Sequence, residues 1–308
     1  MKDFSVVVPV YGCPEALETL CDRTISTISK LEKSYEIVLV NDGCPKGSWE
    51  IIKKLCKKNK NIVGINFSRN FGQIHSTNAG ISYAKGKYIV LMDCDLQDKP
   101  EGIEDLYNKM QEGYDIVFAK RKDRKDSFLA KLSSKIFYKI YNYFVEGFFD
   151  GDIANFCIVK RKVVDEYNLI KDSNKSFTPT LTWMGYKQTA IEIESEERFE
   201  GKSSYNLSKK IDLAIDMLTS QSIKPLKAVI NLGVLFSFFS FLFLLFQIIK
   251  YFTLNDIPVG WTSVIASIFL TSGIIMVCLG GVGIYIGNIF KQTRGMPEYI
   301  VEEIINGK

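Results

Sequence analysis

Two long apolar stretches near the end of this 308-residue sequence constrain its fold more than any other feature. Val229 to Ile249 and Val264 to Ile289, of 21 and 26 residues, contain no Asp, Glu, Lys or Arg. A helix needs about 20 apolar residues to cross a bilayer. Buried helices of a soluble core are usually shorter and carry a polar stripe. The pattern therefore predicts two transmembrane helices, within a membrane region over 226–290.

Basic residues flank both stretches and indicate an orientation in the membrane. They are Lys224 and Lys227 before the first stretch, and Lys291 and Arg294 after the second. The short connection from Tyr251 to Ser263 holds one charged residue, Asp256. Because Lys and Arg are enriched in cytoplasmic loops, we expect a multi-pass protein of the cytoplasmic membrane, with both termini and the tail 291–308 in the cytosol. The short apolar run before Pro9 is too brief for a secretory signal peptide.

The first 225 residues mix charged and apolar residues as soluble domains do. Short β-rich runs alternate there with amphipathic segments, which predicts an α/β fold with a mostly parallel sheet and crossover helices. The predicted strands are Ser5–Val10, Glu36–Val40, Ile62–Phe67 and Tyr88–Met92, and the predicted helices are Ala16–Leu31, Ser48–Lys58 and Ile74–Ala84.

Polar residues follow each of these predicted strands. The segments are Pro9-Val10-Tyr11-Gly12, Asn41-Asp42-Gly43, Ser68-Arg69-Asn70 and Asp93-Cys94-Asp95. In open parallel sheets, ligands bind at the carboxyl ends of the strands. We therefore expect the four segments to converge on one site.

The carboxylates in these segments suggest a metal-nucleotide site. Asp93 and Asp95 would repel each other unless a cation lay between them, and a hard divalent ion that also bridges diphosphate oxygens would offset that repulsion. Gln97 offers a neutral oxygen ligand from the same loop. The alternative is ordinary turn chemistry, because Asp and Asn are favoured after strands in any case.

The seven cysteines form no CxxC pair and are odd in number. In a cytosolic domain this pattern predicts reduced, mostly packed thiols rather than a disulfide or a zinc site.

The segment from Lys120 to Lys139 carries eight basic residues, interleaved with apolar residues at helical spacing. A basic amphipathic helix of this kind lies at a membrane surface, attracted by anionic headgroups. We expect juxtamembrane helices over about 128–149 and 206–225. A solvated basic face is the alternative.

Several motifs together resemble those of the family 2 glycosyltransferases, whose catalytic domain has the Rossmann-like GT-A fold. They are Val-Val-Pro-Val-Tyr (7 to 11), Val-Asn-Asp-Gly (40 to 43), Ser-Arg-Asn-Phe-Gly-Gln (68 to 73) and Met-Asp-Cys-Asp-Leu-Gln-Asp-Lys-Pro-Glu (92 to 101). Arg198-Phe-Glu-Gly-Lys-Ser-Ser-Tyr205 and the two apolar stretches are similar to the polyprenyl-phosphate glycosyltransferases. That group includes dolichol-phosphate mannose synthase and the bacterial undecaprenyl-phosphate glucosyltransferases.

The resemblance implies a nucleotide-sugar donor bound by the strand ends. Its base and ribose would lie near Pro9, Tyr11 and Asp42. Asp93, Asp95 and Gln97 would hold the ribose, the diphosphate and a Mg²⁺ or Mn²⁺ ion, and Asp95 would be catalytic.

The same resemblance implies which residues bind the acceptor phosphate. Arg121, Lys131 and Ser134 match positions that hold it in similar enzymes. Arg198, Lys202 and Ser203 form a second cationic, hydroxyl-bearing loop that we expect to close over the donor diphosphate or the acceptor phosphate.

One motif departs from the pattern of this group, which commonly carries Asp-x-Gly-Asp-Phe-Arg-Leu. Here Asp152 matches the first acid, whereas Asn155 replaces the second. Asp152 is a candidate base or orienting group, and Asn155 is expected to bear on sugar choice or acceptor geometry.

The implied reaction is the inverting, metal-dependent transfer of one hexose, expected to be UDP-linked, to undecaprenyl or another polyprenyl phosphate at the cytoplasmic membrane face. The partners are then the nucleotide sugar, the polyprenyl phosphate and the bilayer, with a homo-oligomer allowed and nucleic acid excluded. Two alternatives stay open: a processive polysaccharide synthase, and a catalytically degenerate protein that binds lipid phosphate.

Overall fold

The computed structural model describes residues 2–121, 153–172, 175–194, 196, 224–254 and 260–307. The predicted juxtamembrane segments, 128–149 and nearly all of 206–225, lie outside these residues. The chain divides into two compact units. One contains a β-sheet with its covering helices and the residues from Met296 onward, and the other contains two long helices.

A single eight-stranded sheet forms the framework of the first unit. Its strands are β1 (Phe4–Val10), β2 (Tyr35–Asn41), β3 (Ile62–Phe67), β4 (Tyr88–Leu91), β5 (Ile116–Arg121), β6 (Ile153–Lys160), β7 (Gln188–Ile193) and β8 (Val301–Ile305). The strand order is β7-β5-β6-β4-β1-β2-β3-β8. Six strands run in one direction, while β6 and β8 pair antiparallel with their neighbours. This mostly parallel α/β architecture confirms the predicted fold class.

Helices cover both faces of the sheet. Their bounds are α1 (Ala16–Lys30), α2 (Ser48–Lys58), α3 (Gln73–Tyr83), α4 (Gly102–Gln111), α5 (Arg161–Leu169) and α6 (Phe177–Trp183). Side chains of β1 alternate between two apolar clusters, with Val6 and Val8 in one and Val7 in the other. A strand buried on both faces in this way reads as a continuous apolar run, which is why β1 was predictable from the sequence.

The C-terminal residues form an edge strand that the sequence does not predict. β8 pairs antiparallel with β3. The Tyr299 ring stacks on Phe67 at 5.0 Å between centroids. Asn306 donates hydrogen bonds of 2.8 Å to the carbonyl oxygens of Cys56 and Ile62. The segment 301–305 is therefore part of the sheet rather than of a free tail. The edge of β3 provides the hydrogen-bonding partners that the backbone of this short segment needs.

The second unit consists of α7 (Lys224–Leu254) and α8 (Trp261–Thr293). Leu226–Phe243 and Ser267–Phe290 within them are long and apolar enough to cross a membrane. Their apolar side chains are largely exposed, as expected of surfaces that lipid would cover. The two predicted helices are therefore present as helices.

Gly80 provides a test of the packing of α3 against the sheet. A Cβ added at Gly80 would overlap Cγ1 of Val7 and would lie 3.1 Å from Cγ2 of Val40. Alanine favours a helix interior over glycine by about 1 kcal/mol, so a net loss of stability can come only from this overlap. We expect Gly80→Ala to lower the free energy of unfolding by about 1–3 kcal/mol, measured by thermal unfolding of the purified chain.

Val7→Ala serves as the control because it removes the overlapped methyl groups. The double variant should be less destabilised than the sum of the two single variants. Wild-type stability of Gly80→Ala, or strict additivity, would contradict this account of the packing.

Candidate active site

The carboxyl ends of six parallel strands lie along one edge of the sheet, and the antiparallel strands β6 and β8 begin there. The backbone N–H of Asp42 donates to the Val10 carbonyl, and that of Met92 donates to the Val7 carbonyl, both at 3.1 Å. These bonds continue the β1–β2 and β1–β4 pairing into the loops. The segments that follow β1, β2 and β4 are consequently neighbours.

Two residues near the end of β1 are predicted to bind the nucleotide-sugar donor. One lies in the core and the other at the surface. Pro9 is buried and pairs with Val40 in the parallel register. Tyr11 is 53% exposed, and Gly12 adopts a φ of 82°. Of these two predicted donor contacts, Tyr11 is the one whose side chain is open to a ligand, while Pro9 shapes the strand beneath it.

Asp42 organises the loop before α3. Its carboxylate is buried and accepts hydrogen bonds from the backbone N–H of Phe71 at 2.7 Å and of Gly72 at 3.0 Å. Burial raises the pKa of Asp42, and these hydrogen bonds act in the opposite direction. Next to it, Gly43 has a φ of 59°, and a Cβ there would lie 2.6 Å from the backbone of Arg69 and Asn70. The loops after β2 and β3 are thus locked together.

Asp93 and Asp95 lie in the loop after β4, and each is oriented by a hydrogen bond. Gln73, the first residue of α3, donates from Nε2 to Oδ1 of Asp93 at 2.8 Å. The backbone N–H of Gln97 donates to Oδ1 of Asp95 at 3.1 Å. Leu96, between Asp95 and Gln97, is buried and has a φ of 57°, a left-handed conformation. The contact of Gln73 with Asp93 is not predictable from the sequence, because only the fold brings α3 against this loop.

The loop after β7 is attached to the same segment. The backbone N–H of Glu196 donates to the Gln97 carbonyl at 2.9 Å. Arg23 of α1 forms ion pairs with Glu101 at 2.7 Å and with Glu196 at 3.4 Å. The first of these pairs lowers the pKa of Glu101. The loop from Asp95 to Glu101 is therefore held by the sheet, by α1 and by the chain beyond β7.

The antiparallel register of β6 brings Asn155 to this edge. Leu91 of β4 pairs with Cys157 of β6. Asn155 lies two residues before Cys157, in the stretch where the pairing of β6 with β5 shifts register. Asn155 is exposed. The residue that departs from the family pattern therefore lies near the start of β6, at the same edge of the sheet as the end of β4.

Other predicted residues fall outside the described part of the chain. These are Asp152, Lys131, Ser134, Arg198, Lys202 and Ser203. Arg121 is the last residue of β5, so its backbone lies on the edge described above.

The prediction that the cysteines are all reduced is wrong for one pair. Cys13 and Cys94 form a disulfide, with their Cα atoms 6.3 Å apart and a sequence separation of 81. The pairing of β1 with β4 places the loops that carry these cysteines side by side. A separation of this length leaves no signal in cysteine spacing.

The acidic loop suits a divalent cation bound together with a diphosphate. Within the described residues, no group of three or more His, Cys, Asp or Glu side chains could hold a metal ion. Mg²⁺ usually takes one or two carboxylates and completes its shell with water and substrate phosphates. Asp93 and Asp95, as two hard oxygen donors in one ordered loop, match that requirement.

Comparison with known proteins agrees with these observations. Residues 5–168 match glycosyl transferase family 2. An uncharacterized glycosyltransferase, YkcC, of Bacillus subtilis (strain 168) is 36% identical over 97% of this chain and 93% of its own length. A prophage bactoprenol glucosyl transferase homolog of Escherichia coli (strain K12) is 32% identical over 97% of this chain and 98% of its own.

A bactoprenol glucosyl transferase of Shigella phage SfII is also 32% identical, over 98% of both chains. The similarity covers the sheet domain and the two long helices alike. With its parallel α/β sheet and the acidic loop after β4, the chain belongs to glycosyl transferase family 2 and is a glycosyltransferase.

Proposed function

We propose that this protein transfers one hexose from a nucleotide sugar, UDP-linked, to a polyprenyl phosphate at the cytoplasmic face of the membrane, with inversion at the anomeric carbon. One observation carries the proposal. The acidic loop after β4 belongs to a chain with two bilayer-length apolar helices, and that whole chain is similar to proteins named bactoprenol glucosyl transferases.

The donor would bind across the carboxyl ends of β1, β2 and β4. The exposed ring of Tyr11 is placed to contact the base or ribose. Asp42 acts there by fixing the loop from Phe71 to Gly72, since its oxygens are engaged by those backbone groups. Asp93 and Asp95 would hold a Mg²⁺ or Mn²⁺ ion beside the diphosphate, with Gln97 as a further oxygen donor. When bound, this ion stabilises the charge that develops on the departing diphosphate.

The reaction is a single displacement. A phosphate oxygen of the acceptor forms a bond to the anomeric carbon as the bond from that carbon to the diphosphate oxygen breaks, and the nucleoside diphosphate leaves. A phosphate monoester has a second pKa of about 6, so the acceptor is largely a dianion at neutral pH. Asp152 would therefore orient the acceptor rather than supply an indispensable base, which is consistent with Asn155 in place of a second acid.

The acceptor phosphate is assigned to cationic residues by family resemblance. Arg121, Lys131 and Ser134 form one proposed group, and Arg198, Lys202 and Ser203 form the other. Arg121 ends β5 at the same edge of the sheet as the acidic loop. Cationic and hydroxyl groups would offset the charge of two phosphate groups brought together for reaction.

The first test is transfer itself, measured with the full chain in membranes. We expect undecaprenyl phosphate, Mg²⁺ and a panel of nucleotide sugars to give one new glycolipid whose mass corresponds to one added hexose. Asp95→Ala should lower the rate by about 100-fold or more, the scale of a lost electrostatic contact to the transition state. Asp105→Ala, which removes an exposed carboxylate from α4, should keep the wild-type rate. Chelation should abolish transfer, and added Mg²⁺ should restore it.

The same assay separates the alternatives. A processive synthase would add many sugars to one acceptor. A degenerate binding protein would retain the lipid phosphate without consuming any donor. Either result would overturn the proposal.

Gln73 offers a second prediction, because its amide group orients Asp93. We expect Gln73→Ala to raise the Mg²⁺ concentration needed for half-maximal transfer by several-fold. Gln73→Met, which keeps a similar side-chain length but cannot donate a hydrogen bond to Asp93, should have the same effect. Gln111→Ala, on the exposed side of α4, is the matched control. An unchanged Mg²⁺ dependence in both Gln73 variants would show that this contact does not position a metal ligand.

A further inference from the structure

Three of the seven cysteines follow the carboxyl ends of central strands of the sheet. Cys13 follows β1, Cys44 follows β2 and Cys94 follows β4. The disulfide joins Cys13 to Cys94, which are only 8% and 7% exposed. It connects the loop that carries Tyr11 to the loop that carries Asp93 and Asp95.

Cys44 is a free thiol that contacts the loop carrying Cys13. Its Sγ accepts a hydrogen bond from the backbone N–H of Gly12, the residue before Cys13, at 3.2 Å. It accepts a second from the Ser48 hydroxyl at the start of α2, at 3.1 Å. Cys44 is half-buried, so a small molecule can reach it more easily than it can reach either disulfide sulfur.

The surroundings of Cys44 favour its thiolate. Burial alone would raise the pKa of Cys44, but hydrogen bonds from Ser48, from Gly12 and from the backbone N–H of Lys46 outweigh that effect and lower it. Three other cysteines behave in the opposite way. Burial raises the pKa of Cys21 and of Cys157 to about 12 and that of Cys56 to about 11. Because thiolates are the reactive form of cysteine, Cys44 is the reactive thiol among these four.

We propose that Cys13, Cys44 and Cys94 form a thiol–disulfide exchange site for low-molecular-weight thiols and disulfides, in which Cys44 reacts first and the Cys13–Cys94 bond is the final product. Disulfides of cytosolic domains are usually transient rather than structural. A half-buried thiol in contact with the residue before Cys13 would provide the route by which such a bond is made and broken.

The oxidising direction has three steps. The Cys44 thiolate attacks a small disulfide, a Cys44–small-thiol bond forms, and one small thiolate leaves. The Cys13 thiolate then attacks Cys44, which forms a Cys13–Cys44 bond and releases the second small thiolate. The Cys94 thiolate attacks Cys13, and the Cys44 thiolate leaves. The small disulfide gains two electrons, the Cys13–Cys94 pair loses two, and the released thiolates take the protons of Cys13 and Cys94. Reduction by two small thiols follows the same path in reverse.

Whether the Cys13–Cys94 bond is formed affects the acidic loop, and the importance of this effect for donor binding rests on the proposed function. A cross-link at Cys94 restrains the residues on either side of it, Asp93 and Asp95, which the proposed donor site uses. The exchange chemistry itself is read from the sulfur atoms and requires no glycosyl transfer. Failure of one proposal is therefore distinguishable from failure of the other.

The test follows the thiols of the full chain, purified in detergent and incubated in glutathione buffers of increasing oxidised fraction. Samples are quenched in acid, alkylated and digested, and mass spectrometry reports the state of each cysteine. We expect Cys13 and Cys94 to pass together and reversibly from alkylated to disulfide-linked. Cys44 should carry glutathione transiently.

Variants isolate the role of Cys44. Cys44→Ser should slow equilibration of the Cys13–Cys94 pair by at least tenfold and leave its midpoint unchanged. Cys13→Ser should leave glutathione trapped on Cys44. Cys278→Ser, in α8, is the control and should exchange as the wild type does.

Two results would overturn the proposal. One is complete alkylation of Cys13 and Cys94 in every buffer, or a bond between them that no buffer reduces. The other is wild-type exchange kinetics in Cys44→Ser, provided that its thermal unfolding matches that of the wild type.

Discussion

The parallel pairing of β1 with β2 on one side and with β4 on the other is the constraint on which the rest of the structure depends. All seven residues of β1 are buried, so its position is set by packing on both faces of the sheet. Backbone hydrogen bonds extend both pairings past the strand ends, to Asp42 and to Met92. The three loops that follow must emerge side by side, and they carry the aromatic, acidic and thiol groups of the candidate site.

Polar contacts then fix these loops with respect to one another. Asp42 holds the loop before α3, and α3 in turn presents Gln73 to Asp93. Each contact uses a side chain from one strand end to restrain the backbone or carboxylate of the next. A site built in this way is ordered before a ligand arrives, which reduces the reorganisation required for electrostatic stabilisation of a transition state.

The two long apolar helices occur in the sequence between the two edge strands of the sheet. β7 and β8 are the two edge strands of the sheet, and α7 and α8 lie between them in the chain. The chain thus leaves the sheet at one edge and returns to it at the other. Unpaired edges invite association with other strands, and β8 covers the edge of β3 with residues that follow the second apolar helix.

The sequence by itself determined the elements whose signal is local. Continuous apolar runs identified β1 to β4, and charge-free stretches identified α7 and α8. The polar residues after the strands identified Tyr11, Asp42, Asp93 and Asp95. Burial, bilayer thickness and turn chemistry produce these signals, because each acts on residues that are neighbours in the sequence. The tertiary structure alone decided what depends on contacts distant in sequence. The β3–β8 pairing, the hydrogen bond from Gln73 to Asp93 and the Cys13–Cys94 disulfide each join segments 20 or more residues apart. Such pairs leave no periodic trace in one sequence, since strand order and register, rather than local preference, bring them together.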